Sequence, residues 1–275
     1  MNNKRSSELA EFLGWHIGDG CISINNRYSE YALTGDLNEE YPFYIDTILP
    51  TFNKLFSKFL KKEITIKEYK SNNVCGIYIF DKNFVNTLQK NLGLSSGKKI
   101  KVCIPPIIKT KQQKINFLRG LFDTDGSIYY CKSNFKTKKE SLFTIFHYKP
   151  KIKLATISKI LIDQVYHLLC NLGFSPRLRK PAKQRNNENM MFGIVLDRNE
   201  DTKRWIEQIG FKNLKHITKI HLCNKFGFCP PHTTLNQRIK MLQNELNPLI
   251  FYPDYSHLSL GNIKEKLSTN KLSKQ

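Results

Sequence analysis

The chain has 275 residues, enough for two modest domains or one large one around a real hydrophobic core. With 40% hydrophobic and 12% aromatic residues it is expected to fold and not to remain disordered. Its 44 Lys and Arg against 23 Asp and Glu leave a formal charge of +21. Such an excess repels itself unless a polyanion offsets it, so nucleic acid is the leading partner. Seven scattered cysteines without a Cys-x-x-Cys pair fit reduced thiols. No apolar run approaches the ~20 residues a membrane helix requires, and no signal-type segment follows Met1, so a soluble, intracellular protein is expected.

The first helix is predicted from about Ser7 to Ile17, where Leu9, Phe12, Leu13 and His16 share one face behind a serine N-cap. It runs into Gly18-Asp19-Gly20. Cys21–Ile24 and Tyr28–Thr34 read as strands joined by the turn at Asn25, Asn26 and Arg27. A helix over Tyr41–Leu60 carries the next apolar stripe. Strands follow at Glu63–Tyr69 and Val74–Phe80, with a turn at Lys70–Asn73 between them. Asp81 caps a helix that ends at Leu92-Gly93. Lys98 to Pro106 is basic, closes on two prolines and makes a linker.

The same order then recurs. A helix over Gln113–Phe122 runs into Asp123-Thr124-Asp125-Gly126, strands fall at Ser127–Lys132 and Lys153–Thr156, and a helix spans Ser158–Leu172. Strands at Arg177–Lys180 and Met191–Leu196 and a helix over Glu200–Ile209 complete it. An insert, about Ser133 to Pro150, extends a hairpin or carries a third strand. Beyond Ile220 one helix is expected at Thr234–Leu246, and the polar end from Lys264 is read as frayed. The repetition divides the chain into 1–107, 108–220 and a C-terminal extension, 221–275.

A helix ending in Gly-Asp-Gly and again in Thr-Asp-Gly, in a basic chain with a duplicated helix, hairpin, helix, hairpin, helix order, resembles the LAGLIDADG homing endonucleases of single-chain, two-repeat type. The resemblance implies an α+β fold: two pseudo-symmetric αββαββα repeats forming a DNA-binding saddle. Gly14 and Gly18 lie one helical turn apart, matched by Gly120 and Thr124, so the two motif helices can approach closely. The resemblance implies that Asp19 and Asp125 meet at the pseudo-dyad. It also implies that they, with the carbonyls of Gly18 and Thr124, hold Mg²⁺ or another divalent cation such as Mn²⁺ for phosphodiester hydrolysis on both strands, and hard oxygen donors suit such a cation.

The resemblance also implies basic residues at the scissile phosphates. Lys98 and Lys215 are chosen from the lysines that follow the third helix of each repeat, with Lys101 and Lys159 in reserve. Double-stranded DNA would be read by a strand face and by turns. The candidates are Asn25, Asn26, Arg27, Lys67, Lys70, Asn72 and Asn73 in the first repeat. In the second they are Lys132, Asn134, Lys136, Arg177, Arg179, Lys183, Gln184, Arg185 and Asn187.

Competing readings stay open: an RNA maturase acting on an intron RNA, or a non-cleaving DNA-binding regulator on the same fold. Two intact acids favour the nuclease, working as a monomer. The chain starts at Met1 and ends in Lys-Gln, without an intein's terminal nucleophile and His-Asn ending, so an intron-encoded or free-standing protein is expected. His221, Cys223, Cys229 and His232 offer zinc-type donors in an irregular spacing, for which buried thiols are the default reading. Ile17 stands where the second repeat has Asp123, and Asp123 is assigned to bonding at the helix junction.

Overall fold

A computed structural model describes residues 3–97, 99–133, 141–182 and 189–269. The chain opens with α1 (Asn3–Asp19), then β1 (Gly20–Ile24) and β2 (Ser29–Asp36). Next come α2 (Leu37–Phe43), a π-helical turn (Tyr44–Ile48) and α3 (Leu49–Leu60), which together make one helical run. β3 (Lys67–Tyr69), β4 (Val74–Ile79) and α4 (Lys82–Leu92) close the first unit. The second unit holds α5 (Lys111–Thr124), β5 (Gly126–Cys131), the short α6 (Leu142–Ile145), β6 (Lys149–Thr156), α7 (Lys159–Asn171), β7 (Arg177–Ala182), β8 (Met191–Leu196) and α8 (Asn199–Gln208). Three further helices follow: α9 (Leu214–Phe226), α10 (Leu235–Leu242) and α11 (Leu260–Thr269).

The strands form two four-stranded antiparallel sheets, ordered β1-β2-β4-β3 and β5-β6-β8-β7. The identical order is the structural form of the sequence repeat. Each sheet buries its alternate residues on helices, as Ile22, Tyr31, Leu33 and Ile77 do in the first and Ile128, Ile152, Leu154 and Ile194 in the second. The helices α1 and α5 pack on each other along their length between the two sheets.

Several boundaries move for local reasons. The second helical run begins at Leu37, not Tyr41, because the Asp36 carboxylate accepts the N–H groups of Asn38 and Glu39 and so caps it. The strand expected from Glu63 shrinks to Lys67–Tyr69. Asn53 accounts for the difference: its side chain receives the Ile64 N–H at 2.8 Å and donates to the Ile64 carbonyl at 3.0 Å, so Ile64 bonds to a helix. α4 begins at the predicted cap, where Asp81 accepts the Phe84 N–H, and ends at Gly93 with φ +69°.

The insert provides no third strand among its described residues; it contains α6, and its last two residues lengthen β6. The polar C-terminal end is helical as far as Thr269, with Ile263 and Leu267 each 1% exposed. Its lysines hide the periodicity, because one buried residue per turn is all that α11 needs. α9 runs through residue 220, so the extension grows out of the second repeat without a break.

Candidate metal and nucleic-acid site

The two motif helices meet through their glycines. A methyl at Gly14 would lie 2.3 Å from the Phe117 carbonyl oxygen, and one at Gly120 would lie 2.2 Å from that of Glu11. At the C-terminal end a methyl at Gly18 would lie 2.0 Å from Thr124 Oγ1 and 3.2 Å from the Asp125 nitrogen. Only residues without a Cβ let two helix backbones come this near. The contact carries Asp19, the last residue of α1, to the end of α5, where Asp125 is the C-cap.

Burial raises the Asp19 carboxyl to about 7, and Glu40 and Asp125 push it the same way while Lys215 and Lys99 oppose them. Asp125 keeps an accessible edge at its helix end, yet desolvation by the protein packed around it raises its carboxyl, Lys99 and Lys215 oppose that, and Glu40 adds to it. The paired acids therefore lie in the field of Glu40, Lys99 and Lys215. Lys99 donates to the Gly18 carbonyl, and Lys215 donates to the Thr124 carbonyl at 3.2 Å. Each ammonium thus sits on the carbonyl preceding one of the paired acids, in a pseudo-symmetric arrangement.

Glu40 is not among the sequence-based candidates. It is 6% exposed, accepts Lys215 Nζ at 2.6 Å and Asn213 Nδ2 at 2.8 Å, and receives the Asp36 N–H at 3.0 Å. The signal for it in the sequence is the Asp36 cap, which puts Glu39 and Glu40 in the first turn of α2. Lys99 is not among the lysines chosen from the sequence, and its neighbour Lys98, which is, lies outside the described residues. The reserves stand elsewhere: Lys101 is exposed, and Lys159 pairs with Asp163 at 2.6 Å on an exposed helix face.

Asp123 is fully buried and receives the N–H groups of Lys212 and Asn213 at 3.0 Å each, so its carboxylate bonds to the start of α9. His16 is buried and stacked on Tyr31, with 5.6 Å between ring centroids, and burial followed by Lys99 lowers it to about 3. Among the described residues no three His, Cys, Asp or Glu side chains cluster as a ready-made metal cage. Cys223 and Cys229 are buried while His221 is exposed. The donor set at the helix ends is two carboxylates and two carbonyls, which suits a hard cation that keeps several waters. No helix is long and apolar enough to cross a membrane among the described residues.

The candidate DNA-reading residues divide. Asn26, Arg27 and Lys70 are exposed at turns, and Lys67 lies 5.7 Å from the Phe80 ring centre. Asn25 folds back to accept the N–H groups of Arg27 and Tyr28, which makes it a turn residue. Asn73 adopts φ +54° and donates to Asp36, and Asn72 accepts from Ser71 at 3.2 Å. Lys132 and Arg179 are exposed, while Arg177 pairs with Asp197. Asn134, Lys136, Lys183, Gln184, Arg185 and Asn187 lie outside the described residues.

The strand register adds residues. Ser127, Tyr129 and Cys131 of β5 stand opposite Lys153, Lys151 and Lys149 of β6, and Arg177 and Arg179 continue the face on β7. The alternation Lys149, Lys151, Lys153 against Ile152 and Leu154 marks this strand face, but the strand predicted from Lys153 starts too late to include it. The matching face of the first sheet holds Ala32, Thr34, Tyr78, Lys67 and Tyr69, with Glu30 opposite Ser23. One face is therefore strongly basic and the other nearly neutral and aromatic.

Residues 112–210 match the family described as LAGLIDADG-like domain. The replication factor C small subunit of Methanocaldococcus jannaschii is 26% identical over 215 residues, which cover 78% of this chain and 10% of that protein. The chain thus spans about a tenth of the length of that curated relative. A point mutant of I-SmaMI superposes with a TM-score of 0.51 at 11% identity, covering 95% of this chain and 98% of that one. I-DmoI in complex with DNA and Ca gives 0.49 at 18% identity, covering 74% and 90%. Residues 112–210 thus match a LAGLIDADG-like domain, and the sheet order found there recurs in the first half of the chain.

Proposed function

We propose that the protein is a site-specific DNA endonuclease that hydrolyses one phosphodiester on each strand of a duplex. The observation that carries this reading is the convergence of Asp19 and Asp125 at one pair of helix ends, with a lysine ammonium on the carbonyl before each. Two acids that repel one another at adjoining helix ends favour a divalent cation, and the donors present fit one. When bound, such a cation would be held by Asp19, Asp125 and the carbonyls of Gly18 and Thr124, and would activate water and neutralise the leaving oxygen.

In this reading Lys99 and Lys215 face the scissile phosphates and stabilise the charge that develops there. Glu40 positions Lys215 and is not itself a contact to the reacting atoms. The basic face of β5, β6 and β7 would follow the backbone of one half of the target, and the aromatic face would meet the other. In the same reading the chain divides near residues 107 and 220, and the segment beyond 220 is an extension.

The test is cleavage of a duplex library of long random sites in Mg²⁺, with product ends mapped by sequencing. Defined double-strand breaks are expected. Asp19→Asn and Asp125→Asn should each lower cleavage ~100-fold or more while retaining duplex binding. Wild-type rates in both variants would remove the metal assignment, and faster intron splicing without any DNA break would favour the maturase.

A further inference from the structure

At the far end of β5 the sheet and the C-terminal segment border an open cavity of about 500 Å³. That volume falls in the range that holds a small organic ligand. Its wall includes Lys132, His147, Lys219 and His232, with Tyr129 beside them, and no carboxylate among the described residues. Lys219 is the informative member. Among the described residues its Nζ donates one hydrogen bond, 3.3 Å to the Ile128 carbonyl. Burial pushes the ammonium down, and Arg238 and Lys215 add to that while Cys229 and Glu39 oppose it. A desolvated cation among other cations is unfavourable unless an anion joins it.

His147 reports the same field, lowered by burial, then by Lys132 and His232. It is held in place, with Nδ1 2.9 Å from the Tyr252 hydroxyl and its carbonyl receiving the Cys229 N–H at 2.9 Å. The wall is thus braced by the C-terminal segment. Lys215 and Lys219 lie four residues apart on one side of α9 and bond to the carbonyls of Thr124 and Ile128. A row of ammonium groups therefore leads along β5 from the acid pair to the cavity.

We propose that this cavity is a binding site for a nucleotide phosphate, taken by Lys219 and Lys132 with His147 and His232 beside it. The phosphate can belong to a polynucleotide or to a free mononucleotide; the chemistry of the wall is the same. The site is separate from the acid pair and does not depend on cleavage.

The experiment uses the full chain at constant ionic strength. Inorganic phosphate and dAMP are titrated while the melting temperature is followed, and a fluorescent mononucleotide is titrated by anisotropy. Both probes should raise the melting temperature saturably. Lys219→Met and, on the exposed wall, the double variant Lys132→Ala with His232→Ala should each weaken the mononucleotide at least tenfold. Displacement of the mononucleotide by an unlabelled duplex identifies a polynucleotide phosphate, and binding that a duplex leaves unchanged identifies a free nucleotide. Either supports the site. Absence of saturation in the wild type, or equal binding by the folded double variant, overturns it. Because phosphate and dAMP are read without DNA, failure of the endonuclease reading would appear separately, as duplex that neither binds nor is cut.

Discussion

Asp19 is the residue whose chemistry depends most on its surroundings. In an unfolded chain its carboxyl has the ordinary value of 3.8, and in the fold it is raised to about 7. Between those values the folded state holds the extra proton, so this group's contribution to stability is greatest below about pH 4. It is lost as the pH rises through about 7, at a slope of up to ~1.4 kcal/mol per pH unit. Without divalent cations, Asp19→Asn should therefore melt at a higher temperature than wild type, and the difference should widen from pH 4 to pH 7. Mg²⁺ should shrink it, since a cation stabilises the charged form. Thermal melts in chelator and in Mg²⁺ across that range decide it, and a difference that does not change with pH would sink the idea. At the same scale, Glu40→Gln removes the carboxylate that holds Lys215. Cleavage should fall ~10-fold with duplex affinity nearly unchanged, measured as rate at saturating DNA and as dissociation constant.

Among elements, the α1–α5 contact and the two sheet faces carry the argument. Replacing Gly14 by Ala improves intrinsic helix propensity by about 1 kcal/mol. The new methyl, however, would meet the Phe117 carbonyl oxygen at 2.3 Å and the Leu121 nitrogen at 2.6 Å, and backbone cannot swing away as a side chain can. Overpacking should win, for a net loss of about 1–3 kcal/mol by denaturant unfolding. An unchanged or raised stability would mean that the helices separate at little cost. The sheet faces differ in kind. Lys151→Ala and Lys153→Ala should each reduce the slope of log affinity against log salt by about 0.9 if they neutralise phosphates. Tyr69→Ala and Tyr78→Ala, on the nearly neutral face, should leave that slope unchanged while altering preference among target sequences. Equal slopes in all four variants would contradict the division of labour.

For the whole molecule, the C-terminal segment acts as a clasp across both halves. Arg238 on α10 is 1% exposed and pairs with Glu39 of α2 at 2.6 Å, while the Leu235 N–H reaches the same carboxylate at 2.6 Å. Lys212 reaches Glu11 of α1 at 2.8 Å, and Asn213 reaches Glu40. Phe228, Met241, Leu249, Tyr252, Ile263 and Leu267 bury themselves in the same core. Arg238→Ala leaves Glu39 without its buried partner and should lower stability by about 3 kcal/mol, read by denaturant unfolding. A loss below ~0.5 kcal/mol would show that the clasp is only a surface contact.

Local signals sufficed for much of this protein. The Asp81 cap, the Gly93 stop and the continuous apolar run at Met191–Leu196 each depend on a few neighbouring residues, so their elements stand where those residues place them. The repeat, the glycine faces and the excess of positive charge are also properties of the one-dimensional chain, and they sufficed to pair Asp19 with Asp125. What needed three dimensions was every contact between residues far apart in the chain. Lys99 reaches Gly18 across 81 positions, and Glu40 reaches Lys215 across 175. The Asp36 cap marks Glu40 as an acid of a helix start, but nothing nearby in the chain separates it from Glu39 beside it. Only the packing of α2 against α9 removes it from water and gives it a lysine to hold. Local propensity set the elements, while burial, which depends on where distant segments come to rest, decided which charges matter.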